Sequence, residues 1–205
     1  MIEITGCGLV GNIPPSLGEC KSLIWLDFSN NKLGGDLPIE KLKGLEELEY
    51  VNISQNAGRP WKKLRNEHEQ YKKGGRGFKG TGVQLLDWLM CCPKLCVFLA
   101  WDNYFYDPIP IELFYSCLLL VCVGLGKNDF DGIQKFESDK STDPAQHGIE
   151  WFLNNNCLTS DSIYENFVDD VNDLMDANEI VIRVGNQHND EELGLASSQK
   201  NVKIV

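Results

Sequence analysis

The sequence predicts an α/β solenoid of short parallel strands, and three observations predict it. An asparagine or cysteine recurs at near-constant spacing, at Cys7, Asn31, Asn56, Asn103, Asn128 and Asn156, with steps of 24, 25, 47, 25 and 28 residues. Each Asn from 31 to 128 is preceded by apolar residues at fixed offsets: Leu23, Leu26 and Phe28; Leu48, Val51 and Ile53; Leu95, Phe98 and Ala100; Leu120, Val123 and Leu125. Three copies then continue into an apolar-proline pair, Ile13-Pro14, Leu37-Pro38 and Ile109-Pro110. A fixed period of this length marks units that cannot bury an apolar face alone and do so by stacking.

Each part of the repeat has a physical reason. Alternate apolar residues send side chains inward from a short strand, and the next copy lays its strand alongside, about 4.8 Å away. The Asn that ends the strand turns inward to hydrogen-bond buried backbone in the adjacent turn, so a ladder of Asn residues is structural. Cys7 takes the same place in the first copy, and Trp151, Leu153 and Leu158 are in phase around a weaker sixth copy at Asn156. The pattern L-x-x-L-x-L-x-x-N/C is that of a leucine-rich repeat, which implies a curved array with its strands on the concave face and a mostly irregular or 3-10 convex side.

The segments "CGLVGNIPPSLGECKSL", "NKLGGDLP" and "NYFYDPIPIELFYSC" follow the continuation N-x-L-x-G-x-I-P. In this the chain resembles plant-type leucine-rich-repeat proteins, in particular the ectodomains of receptor-like kinases and receptor-like proteins. The resemblance covers 1–56 and 83–132 and fades beyond. It implies a non-enzymatic recognition module in signalling or defence that binds a peptide or protein on its concave face, with a co-receptor or another leucine-rich-repeat protein as a second partner. It also implies a cell-surface or extracellular location. The chain starts inside a repeat and reads as a truncated relative.

The spacing divides the chain into repeats at 1–56, a basic inserted loop at 57–82, repeats at 83–158, a helix-strand closing unit at 159–185 and a polar tail at 186–205. The insert fills a step where two periods would fit. Between residues 59 and 80 eight basic side chains face only Glu67 and Glu69, so this stretch carries +6 while the rest carries −17. Trp61, Tyr71 and Phe78 lie among those charges, a composition that also stacks on single-stranded nucleic acid. The net charge of −11 argues against a nucleic-acid partner, and the expected reading is a solvated loop, with sulfated or phosphorylated peptides as its natural anions. Ser162 with Glu165 forms a capping-box pattern ahead of Ile163, Phe167, Val171 and Leu174 at helical spacing. They predict a helix over 161–177, and "EIVIRV" predicts the strand that closes the array.

No motif for catalysis, a metal or a cofactor stands out. Cys20, Cys92 and Cys117 lie 11 residues before their Asn, where the third copy has Leu45, and are expected to be buried. Cys91, Cys92 and Cys96 offer no C-x-x-C pair for zinc even with His68 nearby. His68, His147 and His188 sit in polar stretches without a nucleophile motif. The longest apolar run, Cys117 to Leu125, is half of what a membrane span needs. No basic-then-apolar leader is visible, which keeps a second reading open: a cytosolic scaffold or inhibitor mediating protein-protein contact. Asn52-Ile53-Ser54 is a glycosylation sequon if the chain is secreted.

Outward-facing strand positions form columns across the concave face. Six before the ladder Asn the column runs Trp25, Tyr50, Val97, Cys122; four before, Asp27, Asn52, Leu99, Gly124; two and one before come Trp101 and Asp102, then Gly126 and Lys127. Large aromatics at positions the core does not require are interface anchors. The candidate ligand-binding residues are therefore Trp25, Asp27, Tyr50, Asn52, Leu99, Trp101, Asp102 and Lys127, with Asp27 and Asp102 placed to pair with a basic group.

Overall fold

The structure is a computed structural model and describes residues 1–58, 77–110, 112, 119–134, 149–153, 156, 180–183, 198–199 and 202–204. The expected helix at 161–177, most of the basic insert with Trp61 and Tyr71, the three histidines and Cys117 lie outside the described residues.

In chain order the strands are β1 Ile2–Glu3, β2 Val10–Gly11, β3 Trp25–Asp27, β4 Lys32–Asp36, β5 Tyr50–Asn52, β6 Gly77–Thr81, β7 Val97–Leu99, β8 Tyr104–Tyr106, β9 Ile109–Pro110, β10 Cys122–Gly124, β11 Ile133–Gln134, β12 Ile149–Phe152, β13 Ile180–Arg183, β14 Ser198–Gln199 and β15 Val202–Ile204. The main sheet has the order β1-β3-β5-β7-β10-β12-β13-β15-β14 and is parallel throughout, except for its last pair. Its register is the one the Asn spacing dictates, with Trp25 beside Tyr50, Tyr50 beside Val97, and Val97 beside Cys122.

The Asn ladder explains why register and period coincide. In each unit the side-chain amide donates to carbonyls of its own turn and of the preceding repeat: Asn31 to Phe28 and Ile4, Asn56 to Ile53 and Phe28, Asn103 to Ala100 and Ile53, Asn128 to Leu125 and Ala100, Asn156 to Leu153 and Leu125. The side-chain oxygen accepts backbone N–H groups of the preceding repeat, including Cys7, Leu9, Leu33, Phe78 and Phe105. Asn56, Asn103, Asn128 and Asn156 are fully buried, so these polar groups find in the Asn side chains what water would otherwise supply. Cys7 keeps the backbone position but is exposed, its thiol turned to the Thr5 carbonyl.

On the other side of the ladder, residues following each Asn form a second parallel sheet, β2-β4-β6-β8. The sequence reading placed Gly77–Thr81 inside the inserted loop. The structure instead returns the chain to the array at Gly77: β6 pairs with β4 and β8, Phe78 is fully buried, and the Phe78 N–H donates to Asn103 Oδ1 at 2.9 Å. Its burial removes Phe78 from any surface stacking role.

Short helices complete the repeats: a 3-10 helix at Pro15–Glu19, α1 at Ile39–Leu42 and α2 at Gly82–Leu89. A capping box starts α2, with Thr81 Oγ1 accepting from the Gln84 N–H and Gln84 Oε1 from the Thr81 N–H. Glycine is required at 82 because a Cβ there would run into the Pro108 carbonyl. Leu85, Leu86, Trp88 and Leu89 turn inward from α2 to meet Phe98, Phe105 and Phe130 in one continuous core. Of the cysteines expected inside, Cys92 is buried, but Cys20 is exposed. Cys20 follows the 3-10 helix of the first copy, whereas Cys92 follows α2 and packs into the continuous core.

The strand expected over "EIVIRV" is present as β13, parallel to β12. It does not end the sheet: β15 adds alongside it and β14 folds back on β15, so part of the stretch expected to be a loose polar tail extends the array.

Candidate recognition face

Strand alternation positions the site. In β3, Leu26 points into the core while Trp25 and Asp27 leave by the opposite face, and β5, β7 and β10 repeat the arrangement. The face has two chemically different halves.

At the N-terminal half Trp25 and Tyr50 stack, ring centroids 3.7 Å apart and planes 7° from parallel. Trp25 remains 36% exposed and Tyr50 half-buried. Beneath them a hydrogen-bond chain runs across two strands: Asp27 Oδ1 accepts the Ser29 N–H at 2.9 Å, Asp27 Oδ2 accepts from Asn52 Nδ2 at 3.2 Å, and Asn52 Oδ1 accepts the Ser54 N–H at 3.1 Å. Partial burial, reinforced by the charges of Asp27 and Glu3, raises the Tyr50 phenol above its ordinary value, against an opposing hydrogen bond from Asn52. Tyr50 is therefore a neutral phenol at physiological pH. Glu3 lies beside Asp27 in register. It was missed in the sequence although the same offset from Cys7 leads to it.

The other half is apolar. Val97, Leu99, Trp101 and Cys122 are all partly exposed. Gly124 leaves room for them: a Cβ there would come within 3.0 Å of Leu99 Cδ2 and 3.7 Å of Trp101 Cδ1. Val121, which leads into β10, adds a 44% exposed side chain.

Asp102 and Lys127 behave differently from the expectation. Both occupy the position just before the ladder residue, where the backbone is left-handed in five copies, at Gly6, Asn30, Gln55, Asp102 and Lys127, with φ between 55° and 63°. Lys127 Nζ lies 3.1 Å from Asp102 Oδ2, with 8% and 6% of the side chains exposed. Asp102 has its cation within the chain, so the basic ligand group expected there has no vacancy to fill. Removing the cation alone strands a buried carboxylate. Lys127→Met is expected to destabilise the fold by about 2 kcal/mol, toward the low side because the pair keeps a sliver of solvent. Adding Asp102→Asn should recover most of that loss, as read by urea denaturation of the two variants.

The fold defines a leucine-rich-repeat solenoid, similar to the ectodomains of plant receptors. No family model matches the chain. It is 46% identical over 136 residues to Receptor-like protein 54 of Arabidopsis thaliana, covering 64% of this chain and 16% of that protein, and 43% identical over 49 residues to Receptor-like protein 13 of the same plant, covering 24% and 5%. The chain thus spans at most about a sixth of the length of these curated relatives. Among solved structures it is similar to the ectodomain of the membrane receptor kinase GASSHO1/SCHENGEN3 from Arabidopsis thaliana in complex with CASPARIAN STRIP INTEGRITY FACTOR 2. That match has a TM-score of 0.50 and 22% identity, over 90% of this chain and 22% of that one. It is also similar to the plant peptide hormone receptor RGFR1 in complex with RGF2, with a TM-score of 0.50 and 16% identity, over 91% and 32%. At these identities the solved structures establish the fold.

Proposed function

We propose that the chain is a non-enzymatic recognition module that holds a peptide or an extended protein segment across its concave face. The observation that carries this is the diagonal set Trp25, Tyr50, Leu99 and Trp101. Trp25 pairs with Tyr50 across two strands, Leu99 pairs with Asn52 one step further along, and Trp101 follows β7; all leave by the outward side, while the inward residues beside them already fill the core. Trp and Tyr at such places supply large contact area for little lost entropy. The peptide complexes of the two similar receptors support the same reading by analogy, and a co-receptor would be a further partner. No helix among the described residues is long and apolar enough to cross a membrane.

The test is capture from plant extracellular and cytosolic extracts, with the intact chain and a Trp25→Ala, Tyr50→Ala, Trp101→Ala variant shown by circular dichroism to be folded. A peptide or protein held by the first and lost at least about tenfold by the second supports the concave face, and its compartment of origin decides between extracellular receptor and cytosolic scaffold. Equal capture by both proteins overturns the assignment.

A further inference from the structure

We infer that the N-terminal half of the face is a socket for one arginine or lysine side chain of the bound peptide, and that an apolar residue about three positions away covers Leu99 and Trp101. The inference rests on the recognition reading above and specifies its ligand.

The argument comes from two carboxylates at comparable depth. Asp27 is 8% exposed and Asp102 is 4% exposed. Asp102 is matched by Lys127. Asp27 receives only neutral donors, the Ser29 N–H and the Asn52 amide, and no lysine or arginine among the described residues pairs with it. A buried carboxylate without a counter-charge is costly, and a cation supplied from outside relieves that cost. Glu3 stands next to Asp27 on the neighbouring strand and is exposed, so a second negative charge faces the same spot.

On the same outward side, two residues along β3 from Asp27, Trp25 stands stacked on Tyr50. An aromatic pair near a carboxylate suits a guanidinium or ammonium group: an outer ring face attracts the cation while the carboxylate accepts its hydrogen bonds. A net charge of −11 draws cationic peptides toward the surface. None of these features recurs in the other half, where Val97, Leu99, Trp101, Cys122 and Gly124 present no charge.

Spacing follows from the sheet. Asp27 on β3 and Leu99 on β7 are separated by one intervening strand, so about 10 Å lies between their columns. An extended peptide crossing the strands covers that distance in about three residues.

The experiment uses short peptides capped at both ends, each with one arginine and one phenylalanine at varied separation in a serine-glycine background, and matched peptides with citrulline in place of arginine. Binding to the intact chain is read by fluorescence anisotropy. Arginine peptides should bind about tenfold or more tightly than their citrulline counterparts, with the best separation near three residues. Asp27→Asn should erase that preference, so that arginine and citrulline peptides bind the variant alike. The arginine-citrulline comparison is made on the unaltered chain, so it stands even where the variant folds poorly. Equal affinity for both peptides, with both lost in the triple aromatic variant, overturns the cation socket and leaves the recognition face intact. A preference that survives Asp27→Asn combined with Glu3→Gln also overturns it. If no peptide of the set binds, the socket is rejected, and the extract experiment decides the recognition reading separately.

Discussion

Asn103→Ala is expected to lower the unfolding free energy by about 4 kcal/mol, because it strands backbone groups in two repeats at once. The Asn103 amide donates to the Ile53 carbonyl at 2.9 Å and the Ala100 carbonyl at 3.1 Å, and its oxygen accepts the Phe78 N–H at 2.9 Å. Asn103 is fully buried, so water cannot replace these bonds without entering the core. Alanine also fits the space poorly and offers neither donor nor acceptor. The change should appear in urea denaturation as a lower midpoint. Asn103→Asp, which keeps the acceptor but loses both donations and buries a charge, should be no milder. A loss below about 1 kcal/mol would mean that these bonds have alternatives in solution.

Trp88→Ala should cost a similar amount, about 4 kcal/mol, for an unrelated reason. Trp88 is fully buried on α2 and meets the Phe98 ring edge-on, with centroids 5.8 Å apart. Truncation leaves a cavity between α2 and the main sheet that neither can collapse to fill, since Phe98 is fixed by its strand register. Trp88→Phe is the informative companion. The indole Nε1 of Trp88 makes no hydrogen bond to protein, so phenylalanine gives up volume but no polar partner, and about 1 kcal/mol is expected. Thermal melts of both variants check the contrast. Equal losses would show that the indole N–H holds a partner such as a bound water.

The main sheet was legible from the sequence because one residue type carries both the period and the hydrogen bonds. An Asn at the end of each strand sets the register, and every outward column read from Trp25, Tyr50, Val97 and Cys122 has the pairing that its offset implies. The second sheet was harder to see. Gly77–Thr81 carries its single core contact in Phe78, and basic and glycine residues around it hide the apolar signal that a longer strand would give. The Asp102–Lys127 pair was illegible for a geometric reason. The two residues share one column on adjacent repeats, but the offset alone does not show that their side chains meet and leave the solvent, since Asn30 has the same left-handed backbone and is exposed. The strands Ser198–Gln199 and Val202–Ile204 are two and three residues long within a polar stretch, too short for their alternation to stand out as a period.

The left-handed residue before the ladder position, from Gly6 to Lys127, bears on how such arrays diversify. A non-glycine residue pays roughly 1–2 kcal/mol for that conformation, because Cβ clashes with the backbone, least for asparagine and aspartate and most for β-branched residues. Among unbranched polar residues the choice is open, and asparagine, glutamine, aspartate and lysine all occupy the position at nearly the same φ. Substitution there can change charge or size from one repeat to the next while the path of the chain stays constant. A lineage of such arrays can thus alter what one rim of the concave face carries, one repeat at a time, without renegotiating the fold beneath it.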